Sequence, residues 1–323
     1  SPTCELVFTN APAQLVGDRK MGLIKYVMSL MNAARLGIGA QSTGLSEAAY
    51  REALKYAQER MQFGKPIIEF PAVAEMLSNM KAKLYGSRAM LYETTRFVEI
   101  YKDYTHLSHD RKLTPEERQE QKKYARLADA FTPIAKGMNS EYANQNAYDA
   151  IQIHGGSGFI MEYKSQRLYR DARIFSIYEG TTQLQVVAAI RYITNGTYLG
   201  IMKEMIESEV SEDMRPLQIR VGKLIEMYEQ AVNYVKEAGS QEVHDFLARR
   251  LYDMTGDILM ALLIIDDASR APELFLKSAH VYVRHAEEEV IGKTAYVKNF
   301  IEEDLVYFKT GMPTAEQCRC CKE

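Results

Sequence analysis

The feature that most constrains the fold is a helical spacing of apolar residues, which begins near Lys20 and continues almost to the C-terminus. Apolar residues recur three and four positions apart, as on one face of an α-helix. The breaks in this pattern are short and contain glycine, proline or polar residues. A chain of 323 residues with 46% hydrophobic residues can bury a large core. We therefore expect an all-α protein built from bundled long helices.

The spacing predicts a first helix over residues 23–60, although this segment contains glycines inside the helical pattern. These glycines are Gly37, Gly39 and Gly44. Each costs about 1 kcal/mol relative to alanine in a helix interior. Close helix packing or the close approach of a ligand is therefore expected along this helix. Gly64 and Pro66 form the stop signal that ends it.

Two more long helices follow. The second is predicted from Pro71 to about Tyr101, and the polar segment 102–112 reads as a loop. The third begins at Thr114, where a threonine, a proline and Glu117 form the pattern of an N-terminal capping box. Three long amphipathic helices joined by short breaks predict a helical bundle.

The remaining segments are shorter. The apolar, β-prone run 174–178 is followed by residues 179–182, which open another helix running to Tyr192, and a break at Asn195-Gly196 marks a domain boundary. Residues 197–323 are predicted to be helical, with a final helix over residues 298–308. At the N-terminus, residues 6–8 could form a single strand.

Charge and composition argue against several classes of partner. The net charge is −3 with acids and bases interspersed, which gives no basic face for nucleic acid. No apolar run reaches the length of a membrane helix, and no secretion signal is visible. Three of the four cysteines crowd at the C-terminus (Cys318, Cys320 and Cys321) and read as an incidental tail, although a soft metal is the alternative. We expect a reducing, cytoplasmic compartment and no metal site, since the histidines do not converge.

Glu179 is the strongest candidate for a catalytic residue. It lies where an apolar run meets a helix start, and the following Gly180 lets a ligand approach the backbone. Partial burial beside apolar neighbours suits a carboxylate for general-base work, whereas the helix N-terminus favours the plain anion. A helix-capping glutamate is the alternative interpretation of the same residue.

Other motifs are ambiguous when they stand alone. The glycine-rich segment 155–158 could cradle a phosphate or simply connect two helices. The segment 60–65 (RMQFGK) could grip a phosphate and flank a ring, or its cations could complement a helix C-terminus. Arg35, one turn after Asn32, could pair with a structural acid such as Asp171.

Taken in order, these segments resemble the acyl-CoA dehydrogenase family. The matching segments are residues 8–10 with 15–17, 32–38 (NAARLGI), 60–66 (RMQFGKP), 152–159 (QIHGGSGF) and 170–172 with 177–183 (IYEGTTQ). Five motifs in the family's order and spacing cover residues 5–195. The resemblance implies FAD-dependent oxidation of an acyl-CoA thioester to 2-enoyl-CoA, with Glu179 as the base that takes the α-proton. Some family members carry the base on the first helix instead, but Ala34 stands at that position here.

The resemblance also implies binding residues. Arg60, Gln62 and Phe63 would contact the FAD of a neighbouring subunit. The adenosine-diphosphate part of FAD would be lined by Gln152, Gly155 and Gly156, with Thr181 and Gln183 nearby. The CoA channel would be lined by Asn32 and Arg35, with Gly180 close to the thioester. The family implies a homo-oligomer, a dimer or tetramer, and an electron-transfer flavoprotein as the electron acceptor.

The chain departs from the family pattern in its layout. Residues 1–18 resemble a remnant of the family's middle β-domain, residues 19–196 its C-terminal helical bundle, and residues 197–323 an appended helical domain. The N-terminal domains are missing, so this chain alone should not be an active dehydrogenase. Phe70-Pro71 replaces a polar pair that often follows the 60–66 motif. The appended segment looks like that of larger bacterial methylthiopropionyl-CoA-type dehydrogenases.

Two alternatives to the dehydrogenase remain open at this point. An acyl-CoA oxidase would use the same fold and base but pass electrons to oxygen. A non-catalytic helical assembly module would keep the motifs only as packing elements.

Overall fold

The computed structural model describes residues 4–309, apart from the side chains of residues 23–25, 28 and 29. It confirms the all-α class, because helices make up most of the described chain. They are α1 (Met28–Glu59), α2 (Pro71–Asp110), α3 (Pro115–His154), α4 (Gly156–Phe159), α5 (Ser165–Phe175), α6 (Thr182–Thr194), α7 (Thr197–Ile206), α8 (Arg215–Glu237), α9 (Gln241–Arg270), α10 (Pro272–Asn299) and α11 (Leu305–Lys309). A π-helical turn (Gly22–Val27) precedes α1, and 3-10 turns occur at Ile67–Glu69 and Glu302–Asp304.

A short antiparallel hairpin follows α1. Its strands are β1 (Met61–Gln62) and β2 (Lys65–Pro66), and Gln62 pairs with Lys65. The tight turn between them places Phe63 and Gly64 in the left-handed region, with φ of 49° and 82°. Gly64 adopts this conformation without cost, whereas Phe63 accepts some strain to complete the turn.

Local signals set the helix starts that were predicted. Pro71 opens α2, and Thr114 caps α3 in a capping box. The backbone N–H of Glu117 donates to Thr114 Oγ1 at 3.2 Å, and the backbone N–H of Thr114 donates to Glu117 Oε2 at 2.9 Å. These two bonds satisfy amide groups that the first helical turn leaves without partners.

One large core joins most of the helices. It takes buried residues from α2, α3 and α6 through α11, and a smaller core lies under the second half of α1. The large core crosses the predicted boundary at residue 196: Tyr252 on α9 is fully buried and donates to the carbonyl of Pro133 on α3 at 2.8 Å. The predicted division into residues 1–18, 19–196 and 197–323 remains a prediction about domain organisation.

The glycines of α1 differ in what surrounds them. A Cβ added at Gly39 would lie 3.5 Å from Leu91 Cδ1 and 3.8 Å from the carbonyl oxygen of Ala135, so this glycine packs against α2 and α3. At Gly37 and Gly44 an added Cβ meets nothing within 4 Å. The close packing that was expected for α1 is therefore found at Gly39.

The structure corrects the predicted loop at residues 102–112. Helix α2 continues through Asp110 before the chain turns into α3. Its last turns are polar, and they are held by a tertiary contact in which Gln121 on α3 donates to the hydroxyl of Thr105 at 3.0 Å. A polar segment of this kind resembles a loop in sequence because no apolar stripe marks its helical period.

Two further predictions were wrong at the ends of the chain. Residues 6–8 are exposed and irregular rather than a strand. The predicted final helix over residues 298–308 is divided: α10 ends at Asn299, and Phe300 packs into the core before α11 starts at Leu305. The three C-terminal cysteines lie outside the described residues.

Candidate functional site

Glu179 lies in the turn between α5 and α6. The run 174–178 was predicted to be strand-like, but Ile174 and Phe175 complete α5 and the chain then turns back. The backbone N–H of Thr182 donates to the carbonyl of Ser176 at 3.0 Å and closes this turn. Glu179 and Gly180 both have left-handed backbones, with φ of 54° and 91°. Such a conformation is uncommon for a glutamate, so neighbouring groups have to hold it.

Three donors hold the two carbonyl groups of this turn. Arg35 Nε on α1 donates to the carbonyl of Glu179 at 3.3 Å. Lys136 Nζ on α3 and Gln185 Nε2 on α6 both donate to the carbonyl of Gly180, at 2.7 Å and 3.0 Å. Side chains from α1, α3 and α6 therefore fix the backbone at which the predicted base is attached.

Arg35 has partners other than the structural acid that was considered for it. Its Nη1 donates to Asn32 Oδ1 at 3.2 Å, and the amide of Asn32 donates to Asp129 Oδ1 at 3.5 Å. Between the described residues Arg35 and Asp171 there is no ion pair. The predicted substrate residues Asn32, Arg35 and Gly180 thus lie together beside Glu179.

The cations of this turn are partly desolvated. Burial and, to a smaller extent, the positive charge of Arg35 lower the pKa of Lys136 to about 8, although the negative charges of Glu141 and Glu179 act in the opposite direction. Burial also lowers the pKa of Arg35, and the negative charge of Glu179 opposes that shift. Both cations therefore interact electrostatically with the Glu179 carboxylate.

Thr181 and Gln183 extend this group at the start of α6. Both are exposed, and Thr181 Oγ1 accepts a hydrogen bond from the backbone N–H of Leu184 at 3.4 Å as the N-cap of the helix. Thr182, which is buried, donates its hydroxyl to Glu141 Oε1 at 2.6 Å. We use the name Glu179 cluster for the turn at Glu179 and Gly180 together with Asn32, Arg35, Thr181 and Gln183.

The other predicted cofactor residues form a second group at the far end of α1. Arg60 and Gln62 are exposed, and the Phe63 side chain is 93% exposed at the tip of the hairpin. The ring of Phe63 lies edge-to-face with Phe70 at 6.3 Å, and Lys65 Nζ lies 4.4 Å from the centre of the Phe70 ring. The hairpin therefore presents a cation and an aromatic ring to the outside.

The glycine-rich turn after α3 lies beside this hairpin end of α1. Tyr56, one turn before Arg60, stacks on His154 at 4.4 Å and donates to Ser157 Oγ at 3.3 Å. Gly155 has a φ of 60°, and a Cβ added at Gly155 or Gly156 would meet nothing within 4 Å. Gln152 is exposed in the last turn of α3. We call these residues, with Arg60, Gln62 and Phe63, the hairpin group.

The Glu179 cluster and the hairpin group lie at opposite ends of α1. At 1.5 Å per residue, the helix from Arg35 to Glu59 spans about 36 Å. The structure therefore separates the predicted cofactor residues into two groups that a single small molecule bound to one chain would not bridge.

Sequence reasoning missed Lys136 and Gln185, although both side chains are fully buried against the turn. A signal for Lys136 was present, because it is the single charged residue within the apolar segment 131–138. A buried lysine is uncommon unless it is paired, so its position inside an apolar helix face marks a polar partner. No comparable signal distinguishes Gln185 from other helical glutamines.

A buried polar cluster also joins α3 to α9 and α10. The Tyr142 hydroxyl donates to Asp257 Oδ1 at 2.6 Å and lies 3.0 Å from the hydroxyl of Tyr282 and 3.2 Å from His285 Nε2. Burial raises the pKa of Asp257 to about 6 and lowers the pKa of His285 to about 4. His285 is thus structurally satisfied. Among residues 4–309, no group of three or more His, Cys, Asp or Glu side chains could hold a metal ion.

No helix in the described part of the chain is long and apolar enough to cross a membrane.

Residues 24–104 and 112–193 match the family model "Acyl-CoA dehydrogenase, C-terminal domain", and residues 194–305 match the model "Acyl-CoA dehydrogenase C terminal". The chain belongs to the acyl-CoA dehydrogenase family.

Individual proteins show the same relationship over part of their length. The chain is 39% identical over 158 residues to the caffeyl-CoA reductase-Etf complex subunit CarC of Acetobacterium woodii, covering 49% of this chain and 35% of that protein. It is 36% identical over 194 residues to the 3-methylmercaptopropionyl-CoA dehydrogenase of Ruegeria pomeroyi, covering 57% and 31%. The chain therefore spans about a third of the length of these relatives.

The fold is also found in a solved structure. An acyl-CoA dehydrogenase of Bacillus anthracis in complex with FAD superimposes with a TM-score of 0.67 at 20% identity, covering 92% of this chain and 53% of that one. Because this coverage includes most of α7–α10, the helices after residue 196 belong to the shared fold.

Proposed function

We propose that this chain is part of an FAD-dependent enzyme that removes hydrogen from Cα and Cβ of an acyl-CoA thioester, with Glu179 as the base. The observation that carries the proposal is the turn at Glu179 and Gly180, whose carbonyls are bound by Arg35, Lys136 and Gln185. A glutamate held in a left-handed turn by donors from three helices is better explained by a need to aim its carboxylate than by helix capping.

The chemistry needs a base in a fixed position. The α-proton of a thioester becomes removable only when hydrogen bonds stabilise the negative charge that develops on the carbonyl oxygen. The Glu179 carboxylate accepts that proton, and its backbone N–H is a donor for the thioester oxygen. A bound FAD would supply the acceptor for the β-hydrogen, which leaves as a hydride. Asn32, Arg35 and Gly180 line the side from which the CoA thioester enters.

The hairpin group fits the diphosphate and ring systems of FAD. Arg60 offers an exposed cation, Phe63 an exposed ring, and Gly155 and Gly156 an open backbone that a phosphate can approach. Gln62 and Gln152 add amide donors. Because this group lies about 36 Å along α1 from the Glu179 cluster, we propose that each FAD lies between subunits of a homo-oligomer, a dimer or tetramer, with Thr181 and Gln183 of one chain near it.

Relatives suggest an electron-transfer flavoprotein as the redox partner. The Acetobacterium woodii relative is named as a subunit of an Etf complex and as a reductase. In that direction the same carboxylate would return a proton to Cα, so Glu179 serves either direction of the reaction. The test is anaerobic mixing of the full-length, FAD-loaded protein with acyl-CoA thioesters of increasing chain length.

We expect the flavin absorbance to bleach with at least one thioester. Slow return of the colour in oxygen indicates a dehydrogenase, whereas fast return with peroxide formation would indicate an oxidase. Absence of FAD binding and of bleaching with every thioester would contradict the proposal and leave a helical assembly module as the better account.

A further inference from the structure

Lys136 is a buried cation beside the Glu179–Gly180 turn, and the role of Glu179 as a base does not by itself explain why a lysine is buried there. Its side chain is fully buried in the middle of α3, and its Nζ donates to the carbonyl of Gly180 at 2.7 Å. Removing an ammonium group from water is costly, so a buried lysine that binds one backbone carbonyl needs a further reason.

The carbonyl of Gly180 already has a neutral donor. Gln185 Nε2 lies 3.0 Å from it, and the other side-chain atom of Gln185, Oε1, is buried without a hydrogen-bond partner. A glutamine alone would therefore satisfy this carbonyl. What the lysine adds is a positive charge beside the turn and a second, differently directed bond.

We propose that Lys136 is a positioning residue that locks the Glu179–Gly180 turn in the conformation needed for proton abstraction. The proposal rests on the proposed function of Glu179 as the base. Lys136 lies on α3, outside the turn and the start of α6, and it sets how fast the α-proton is removed.

Peptide geometry connects the anchor to the reaction. A trans peptide places its N–H opposite its C=O. Arg35 and Lys136 hold two successive carbonyls, those of Glu179 and Gly180, and so they fix the two peptide planes that follow the Cα of Glu179, from which the carboxylate side chain projects. The left-handed Glu179 relaxes easily to a more favourable φ when one of these bonds is lost.

The charge of Lys136 acts in the same direction. The charged groups that face it are Arg35 from α1, Glu141 from its own helix and Glu179 from the turn. Its cation attracts the Glu179 carboxylate, which adds an electrostatic contact to the hydrogen bond at Gly180. The lowered pKa of Lys136 is consistent with a cation placed close to Arg35 and out of water.

The test compares Lys136→Met with Lys83→Met in the full-length, FAD-loaded protein. Methionine is unbranched and of similar length, so it fills the space of the buried lysine. Lys83 on α2 is also buried, but it binds Gln145 Oε1 at 2.7 Å instead of the turn. It is therefore a control for the loss of any buried lysine.

We expect Lys136→Met to slow flavin reduction by acyl-CoA about 100-fold, because small misplacements of a reacting group have effects of that order. The KM should change little, and the deuterium isotope effect for substrate labelled at Cα should increase. Lys83→Met should keep the wild-type rate and isotope effect. Wild-type kinetics for Lys136→Met would overturn the inference while the proposed function stands.

Amide hydrogen exchange provides a readout without flavin. In this chain, the amides of residues 179–184 should exchange faster in Lys136→Met than in wild type or Lys83→Met. Unchanged exchange would overturn the anchoring role, even if the wild-type protein fails to reduce flavin and the proposed function is wrong. If Lys136→Met does not fold, Lys136→Gln keeps a neutral donor, and the same comparisons of rate and exchange decide the inference.

Discussion

Gly137 lies where α3, α6 and α9 meet, and substitution by alanine should destabilise the protein there. A Cβ at Gly137 would lie 1.9 Å from the hydroxyl of Tyr252 and 3.5 Å from Gln185 Cβ. Tyr252 is fully buried and bonded to the carbonyl of Pro133, so it has to move and give up that bond. Overpacking and the lost bond each cost about 1–3 kcal/mol, whereas alanine adds about 1 kcal/mol of helix propensity.

The net expectation is a loss of about 1–5 kcal/mol in the free energy of unfolding, measured by urea denaturation. Gly44→Ala in α1 is the matched control, because an added Cβ there meets nothing within 4 Å. That variant should gain up to about 1 kcal/mol. If Gly137→Ala is as stable as Gly44→Ala, then α9 does not pack against α3 as described.

Three further stability predictions concern buried polar groups and can be checked by urea denaturation. Tyr142→Phe leaves Asp257 without its hydroxyl donor and should cost about 1–3 kcal/mol, whereas Tyr92→Phe, at a side chain 64% exposed, should change stability by less than about 0.5 kcal/mol. Burial raises the pKa of Asp257 to about 6. Wild type should therefore lose stability relative to Asp257→Asn as the pH rises from about 4 to 7. Equal slopes of unfolding free energy against pH in the two proteins would contradict this. Burial lowers the pKa of Lys136 to about 8, so its buried ammonium reduces stability below that pH. Wild type should therefore gain stability relative to Lys136→Met as the pH rises from about 8 to 10. Parallel profiles of unfolding free energy against pH would show that the lysine is not buried.

The sequence was informative wherever a local rule decides the structure. Pro71 and the Thr114 capping box predicted the starts of α2 and α3, because caps and prolines act within one helical turn. The extension of α2 through residues 102–110 was missed for the converse reason. It depends on contacts such as Gln121 with Thr105, which join residues on different helices.

The candidate site was predictable in its residue types and not in its geometry. Glu179 and Arg35 are 144 positions apart, and only the packing of α1 against the α5–α6 turn brings the Arg35 guanidinium to the Glu179 carbonyl. The left-handed backbone of Glu179 has no local sequence signal beyond the glycine that follows it. The charge of Lys136 inside an apolar segment signals a polar partner, but a helical pattern shows only which face is buried and not which polar group that face meets.

The division of the predicted cofactor residues into two groups is the largest addition that the structure makes. In sequence, Arg60 and Thr181 are equivalent members of one motif set. In the fold, the length of α1 separates the hairpin group from the Glu179 cluster, which supports an FAD site formed by more than one subunit. This separation along α1 is the reason for proposing a homo-oligomer.

The central claim is that Glu179 accepts the α-proton of an acyl-CoA, and single-turnover flavin reduction in the full-length protein tests it most directly. Glu179→Gln keeps the size of the side chain and removes the base, so FAD should stay bound while bleaching by acyl-CoA falls by at least about 10³-fold. Glu204→Gln, at an exposed glutamate on α7, should bleach at the wild-type rate. Wild-type bleaching in Glu179→Gln would contradict the account.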